Sequence, residues 1–466
     1  MPMLFIPWEE FLPDLGKIRN RGLVQGSEGQ IDVHGHWTPA PRLQALDRSQ
    51  ISSSGAIATG LFSWPFGPTD YRVYVGTDDP KLFEYDAAGA VVTDVSRTSG
   101  GAYTGSEWFF TGFGGHVMAV NGVDADQILL STASNFADCY TSTLKPRGKY
   151  VSSLKSHIVI GNYTVPAGDT VPHGVWISAT DDARQMLSGS LNSDFQALND
   201  DLGHVMGLNR GRYYLLIARE RGWTRLDGPP YSFANIETSD GLYHSRSIVD
   251  LGNDTFYLSS GSVKAIRSGT QVVDIGRGKV ARFLFDDDFT EAPFQVVSNA
   301  SRGRLGVSGA ADPASSLIAW SWVVYADSAP TNVWLVYNTA TDRFSVFRGS
   351  FISGTPDALE QGPLSTRPTG VIGQGWSPLG QLVTGFTNAT AVTSLDLFEF
   401  SATTGTICRF DTGFQSHVQE AKHRYTRLRP IFRMKEGVSA PSISVTLKTI
   451  DYPSGPIVST DTLTTQ

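Results

Sequence analysis

The sequence predicts an all-β protein, a β-propeller of about seven blades with an extended N-terminal arm and a C-terminal β extension. Three observations predict this fold. The composition is poor in charge and rich in glycine, helical periodicity is nearly absent, and one short strand pattern recurs seven times along the chain.

The composition favours many short strands joined by tight turns. Only 18% of the 466 residues are charged, whereas soluble domains average about 25%. The chain also contains 48 Gly and 24 Pro, residues that end strands and form turns. A helical bundle would need much more Ala, Glu, Lys and Leu. Disorder is not expected, because 10 Trp, 16 Tyr and 25 Phe can fill a large core.

The recurring pattern is a polar or glycine turn followed by a short apolar strand that ends in a small or polar residue. Its seven occurrences are 72–76, 116–121, 157–161, 213–218, 255–259, 317–321 and 382–385. Their centres, from Tyr74 to Val383, are separated by 44, 41, 56, 42, 62 and 64 residues. A repeat of this length is typical of a propeller blade.

A second apolar strand follows several of these segments. It is clear at 81–86, 332–338 and 396–401, and weaker at 175–178 and 222–226. A unit of roughly 40–60 residues with about four strands has the size of one blade. Seven units span about residue 50 to about residue 415. Because the spacing is irregular and no Trp-Asp or Asp-box signature is present, a pair of β-sandwiches stays open as an alternative.

The expected organisation has three parts. Residues 1–50 form an N-terminal arm with a strand leading into the propeller, since proline and glycine are dense there. Residues 51–415 form the β-propeller. Residues 416–466 form a C-terminal β-strand extension, in which 442–448 alternates cleanly as an exposed, two-faced strand.

Cysteine content and charge restrict the function classes. Cys139 and Cys408 are far apart and form no Cys-x-x-Cys pair, which indicates no cysteine-bound metal. One long-range disulfide stays open. A net charge of −8 argues against tight nucleic-acid binding. The N-terminus has no basic region typical of a secretory signal, and no apolar run reaches membrane-spanning length. We therefore expect a soluble protein without a membrane anchor.

The candidate chemical motifs are weak. His34 and His36 have the spacing of two metal ligands on one strand, but an ordinary polar arm is the preferred interpretation. The acidic runs 286–288, 181–182, 200–201 and 78–79 are expected to be solvated turns. His116 and His157 each open a repeat strand and are expected to be structural. No nucleophile elbow or Walker loop is present, and 276–279 has the wrong glycine spacing for one. The residues predict no catalytic, cofactor-binding or metal site.

A basic run near the C-terminus is the one concentrated charge feature. It contains Lys422, Arg424, Arg427, Arg429 and Arg433. With few aromatic residues between the charges, a stacking platform for single-stranded nucleic acid is not favoured. Charged side chains also protect an exposed strand edge. These residues are candidates for subunit contact, with contact to DNA phosphates as the alternative.

Several segments together resemble a known family. The main segments are 241–252, 255–261 and 273–280, with further similarity at 8–14, 175–178, 319–322 and 334–338. They look like tail hub, nozzle or head-to-tail "stabilisation" proteins of short-tailed double-stranded DNA phages. The similarity runs through most of the chain, and no single motif is diagnostic.

The resemblance implies a structural virion protein assembled in the host cytoplasm. Such subunits form a ring, usually a homohexamer, below the portal and adaptor. The ring continues the DNA channel, helps to retain packaged DNA and supports its ejection. Tail fibre or needle proteins attach to it, and double-stranded DNA passes without sequence recognition. The resemblance implies no enzymatic activity and no cofactor.

Two rival functions remain open. One is a carbohydrate-binding or carbohydrate-active propeller, such as a tail spike or hydrolase, which needs paired carboxylates and aromatic platforms at one mouth of the propeller. The other is a monomeric bacterial scaffold propeller.

Overall fold

The computed structural model of the chain consists of β-strands joined by turns, with two short helices among the residues it describes. Those residues are 23–27, 29–31, 37–39, 41–52, 58–65, 71–86, 91–130, 132–140, 145–165, 168–186, 189, 191–236, 240–285, 307–312, 316–326, 329–348, 371–373, 383–387, 395–405, 409–412, 443–450 and 457–465. No helix in this part of the chain is long and apolar enough to span a membrane.

The strands that precede the first blade come from the N-terminal segment. They are β1 (Leu23–Ser27), β2 (Gly29–Ile31), β3 (Trp37–Pro39) and β4 (Pro41–Ser52). Of these, β2 pairs with β3 in an antiparallel hairpin.

Six four-stranded antiparallel sheets then follow in chain order, each formed by four consecutive strands. We call them blades 1 to 6. Blades 1 and 2 contain β5 (Ala58–Pro65), β6 (Tyr71–Thr77), β7 (Leu82–Asp86), β8 (Val91–Asp94), β9 (Phe109–Phe113), β10 (His116–Val120), β11 (Gln127–Leu129) and β12 (Ala137–Asp138). Blades 3 and 4 contain β13 (Arg147–Leu154), β14 (His157–Thr164), β15 (Thr170–Ile177), β16 (Asp194–Ala197), β17 (Val205–Arg210), β18 (Leu215–Arg219), β19 (Trp223–Asp227) and β20 (Ser232–Ile236).

Blades 5 and 6 continue the same order. A 3-10 helix (Ser245–Ser247) leads into β21 (Val249–Leu251), β22 (Asp254–Leu258), β23 (Val263–Arg267) and β24 (Gln271–Asp274). The helix α1 (Ala281–Phe285) follows blade 5. Blade 6 contains β25 (Ser308–Asp312), β26 (Leu317–Ala326), β27 (Ala329–Asn338) and β28 (Arg343–Arg348).

The last four-stranded sheet, blade 7, combines the two ends of the chain. Its first three strands are β29 (Val371–Gly373), β30 (Val383–Thr387) and β31 (Leu395–Gly405), and its fourth strand is β4 from the N-terminal segment. The next strand, β32 (Arg409–Thr412), pairs with β1. The C-terminal strands β33 (Ile443–Ile450) and β34 (Ile457–Thr465) pair with each other.

The seven sheets form a closed ring. First strands of neighbouring blades contact each other, and β29 of blade 7 contacts β5 of blade 1. Between blades 4 and 5 the contact is made by β17 and the 3-10 helix. The expected all-β propeller of about seven units is therefore confirmed. The alternative of two β-sandwiches is wrong, because each sheet packs against two neighbours rather than one.

The second strands are apolar on both faces because each is covered by a blade on either side. In β10, Val117 and Ala119 belong to the core shared with blade 1, whereas Met118 and Val120 belong to the core shared with blade 3. The strand β18 alternates in the same way between blades 3 and 5. This double coverage gives the second strands their continuous hydrophobic runs, whereas the outermost strands β8, β16 and β24 have no buried side chain.

All seven recurring segments of the sequence lie on these second strands, from β6 to β30. The five segments of the second pattern lie on the third strands β7, β15, β19, β27 and β31. The N-terminal segment differs from a simple arm, because residues 41–52 are part of blade 7. The predicted C-terminal strand is present as β33.

Candidate functional site

A cavity lies on the axis of the propeller, where the first strands of the blades meet. Its volume is about 340 Å³, within the range of small-molecule sites. Among the described residues, blades 1 to 6 all contribute to its lining: Leu61, Phe62, Trp64, Trp108–Gly112, Tyr150–Ser153, Gly207–Arg210, Ser245, Arg246, Ile248, Asp250, Ser308 and Gly309.

One wall of the cavity is aromatic and comes from blades 1 and 2. The ring of Phe62 stacks on Trp64 with centroids 5.9 Å apart and on Phe110 with centroids 6.2 Å apart. The close approach of these blades depends on glycine at position 112, since a Cβ atom there would lie 2.0 Å from the Trp64 ring. The wall therefore offers flat apolar surface to the cavity.

Arg246 reaches across the cavity from blade 5 to blade 2. It lies in the 3-10 helix, and its guanidinium carbon is 4.5 Å from the ring centroid of Phe109 on β9. Burial lowers the pKa of Arg246 to about 10, while the negative charge of Glu107 acts in the opposite direction. The side chain therefore keeps its positive charge at neutral pH, and the Phe109 face supplies part of its stabilisation.

The opposite wall carries a hydrogen-bonded polar group. Thr255 Oγ1 donates to Asp250 Oδ1 over 3.1 Å, and Asn209 Nδ2 also donates to Asp250 Oδ1. Asn209 Nδ2 lies 2.7 Å from Thr255 Oγ1 as well. Desolvation raises the pKa of Asp250 to about 7, because it outweighs the opposing effect of the two hydrogen bonds.

The raised pKa of Asp250 predicts a pH-dependent stability. In the unfolded chain this carboxyl has a pKa near 3.8, so between pH 4 and 7 the folded state binds more protons. The free energy of unfolding therefore falls as the pH rises from about 4 to about 7, because the buried carboxyl group of Asp250 loses its proton. The side chain of the Asp250→Asn variant has no proton to lose. The thermal midpoint of the variant should therefore rise relative to that of the wild type between pH 5 and pH 8. Calorimetry at several pH values measures the difference, and a constant difference contradicts the assignment.

The acidic pairs singled out in the sequence are found in turns. Residues 78–79, 181–182 and 200–201 lie at bends or turns, and no group of three metal-binding side chains occurs in the described part of the chain. One of them has a further partner, since Asp200 forms an ion pair with the buried Arg219. The acidic run 286–288 lies outside the described residues, as do the two histidines His34 and His36.

The histidines that open repeat strands have structural positions. His157 is the first residue of β14, is buried, and its Nδ1 donates to the Ser178 carbonyl oxygen over 2.8 Å. His116 is the first residue of β10. The glycine-rich segment 276–279 also has a structural role, because Lys279 Nζ donates to the Asp342 carbonyl oxygen over 2.9 Å.

The remaining predicted features are the basic run near the C-terminus and the two cysteines. The basic candidates Lys422, Arg424, Arg427, Arg429 and Arg433 lie outside the described residues. Cys139 is a free, buried thiol, and burial raises its pKa. Cys408 lies outside the described residues.

The residues of the cavity carry no recognisable motif in the sequence. Arg246 and Asp250 lie in the segment 241–252, which attracted notice only through a family resemblance. Two charged residues beside the buried Ser247 and Val249 were the available signal. Such a charge pattern alone does not distinguish a blade surface from the propeller axis.

Comparisons with known proteins add nothing to the strand pairing described above. No family model matches the chain, and no curated protein matches it. Among solved structures, the chain is similar to a crystal structure of the computationally designed Ika8 protein. The identity is 10%, the alignment covers 77% of this chain and 100% of that chain, and the TM-score is 0.41. The propeller assignment therefore rests on the strand pairing described above.

Proposed function

We propose that the chain is a structural subunit of the tail of a short-tailed double-stranded DNA phage. In this proposal it forms a ring, a homohexamer as in the family it resembles, below the portal and adaptor. The ring continues the DNA channel, retains packaged DNA and carries fibre or needle proteins. It is assembled in the host cytoplasm, resides in the virion and acts without catalysis or cofactor.

The observation that carries the proposal is the pairing of the terminal segments outside the blades. The N-terminal strand β1 pairs with β32, which follows blade 7, and β33 pairs with β34. Closure of the propeller requires only β4 from the N-terminal segment. The other terminal strands are not needed for closure, although β1 and β2 contact β28, the fourth strand of blade 6. We assign to these terminal strands the contacts between neighbouring subunits that a closed ring requires.

The small size of the central cavity favours passage of DNA through the lumen of the ring rather than along the axis of one propeller. A volume of about 340 Å³ holds a small molecule, whereas the major groove of a duplex alone is about 12 Å wide. The side chain of Arg246 also spans the cavity. In the proposed ring the duplex passes through the lumen that the subunits enclose, and the net charge of −8 favours sliding over binding.

The carbohydrate-active alternative has no specific observation in its favour at this cavity. Hydrolysis of a glycosidic bond generally uses two carboxyl groups about 5–10 Å apart. Among the described lining residues, Asp250 is the only carboxylate.

Electron microscopy of negatively stained protein, alone and mixed with a portal–adaptor complex, tests the tail proposal. We expect rings with an open channel that dock coaxially below the portal. A variant that lacks residues 1–40 keeps β4 and serves as the matched control, for which we expect folded monomers. A full-length protein that stays monomeric and ignores the portal contradicts the proposal.

A further inference from the structure

Three residues that line the central cavity have a side-chain hydrogen-bond donor without a partner. Arg246 Nη2, Ser153 Oγ and Trp108 Nε1 are all buried, and none of them forms a hydrogen bond with any described residue. Leaving a buried donor unpaired costs about 1–3 kcal/mol, and more for a charged group. Most buried polar groups in folded proteins are paired, so three unpaired donors at one cavity indicate a missing acceptor.

The charge of the cavity favours an anion. Arg246 carries a positive charge in a desolvated position, 4.5 Å from the face of Phe109, and the negative charge of Glu107, which acts on it, belongs to a residue outside the cavity lining. Asp250 is the only described carboxylate in the lining, and its oxygen already accepts from Asn209 and Thr255. Burial raises the pKa of Asp250 to about 7, so this residue adds less than a full negative charge to the cavity at neutral pH.

The shape of the cavity favours a ligand with a flat apolar body. Phe62, Trp64 and Phe110 stack in sequence along one wall, opposite the polar side chains of blades 4 and 5. Aromatic rings bind planar apolar groups by offset stacking. Inorganic phosphate would satisfy the cation and leave this wall without contact.

We propose that the central cavity binds a small organic carboxylate with a planar apolar body. Arg246 and Ser153 donate to the carboxylate, and the wall formed by Phe62, Trp64 and Phe110 holds the body. This inference does not depend on the tail proposal, because it concerns the axis of a single subunit.

Binding of benzoate tests the inference, with benzamide as its neutral counterpart and inorganic phosphate as an anion without a ring. Saturation-transfer NMR detects contact of the benzoate ring, and titration gives the affinity. A ligand of this size should bind with a dissociation constant of about 1 mM. We expect benzoate to bind at least about tenfold more tightly than benzamide, since one charge-assisted hydrogen bond contributes that much.

The matched variants are Arg246→Met, which keeps the length of the side chain, and Arg221→Met, which alters an exposed arginine outside the cavity lining. Arg246→Met should weaken benzoate binding at least about tenfold, and Arg221→Met should leave it unchanged. Equal binding by both variants overturns the inference. Should Arg246→Met fail to fold, the wild-type comparison decides: equal affinity for benzoate and benzamide, phosphate binding without benzoate binding, or no binding of any probe overturns it.

Discussion

Deleting residues 1–52 should abolish the cooperative unfolding of the propeller or lower its thermal midpoint by about 10 °C or more. The deletion removes β4, the fourth strand of blade 7, and exposes the edge of β31. Because first strands contact around the whole ring, including β29 with β5, weakening one blade removes support from both of its neighbours. Circular dichroism during heating measures the midpoint.

The matched deletion of residues 1–40 keeps β4 and should change the midpoint by only a few degrees. A peptide of residues 41–52 added to the longer deletion should raise its midpoint as the peptide concentration increases, because it binds only the folded state. A scrambled peptide should have no effect. Equal midpoints for the two deletions would show that β4 does not close the ring.

Replacing Arg219 with alanine should destabilise the protein by about 3 kcal/mol. Arg219 ends β18 and is fully buried. Its Nη2 donates to the carbonyl oxygens of Leu198 and Gly203 over 2.9 and 2.8 Å, and its Nε donates to Gly203 over 3.1 Å. The side chain thus holds the crossing from blade 3 to blade 4, and alanine would leave these buried carbonyl groups unpaired.

Arg219→Lys should recover only part of the loss, since an ammonium group cannot reproduce the planar donor arrangement. Arg221→Ala, two residues further and exposed, is the control and should change stability by less than about 0.5 kcal/mol. Urea denaturation gives the three free energies of unfolding. A value for Arg219→Ala that equals the control would mean that the guanidinium contacts contribute nothing.

The second strands were predictable because their environment repeats. Residues 117–120 and 158–160 are apolar without interruption, since each strand is packed on both faces by neighbouring blades. The outermost strands were not predictable in the same way. In β16 and β24 no side chain is buried, so the sequence there resembles a surface loop.

Arg219 shows why the sequence could not identify individual buried charges. It follows directly after the apolar segment 213–218, where a solvated arginine at the end of a strand is the ordinary expectation. Only the crossing loop at 198–203 makes the position buried, through carbonyl groups that lie 16 to 21 residues earlier in the chain.

The fold class, the approximate number of blades and the position of two strands in each of several blades can be predicted from the sequence. These features depend on the local pattern of apolar and polar residues and on its repetition along the sequence. The tertiary structure decided the closure of blade 7, where Leu43 of β4 is opposite Phe400 of β31, and the meeting of Arg246 with Phe109 on the axis. Both bring together residues from different blades, and their physical origin is the closed ring, which no local pattern specifies.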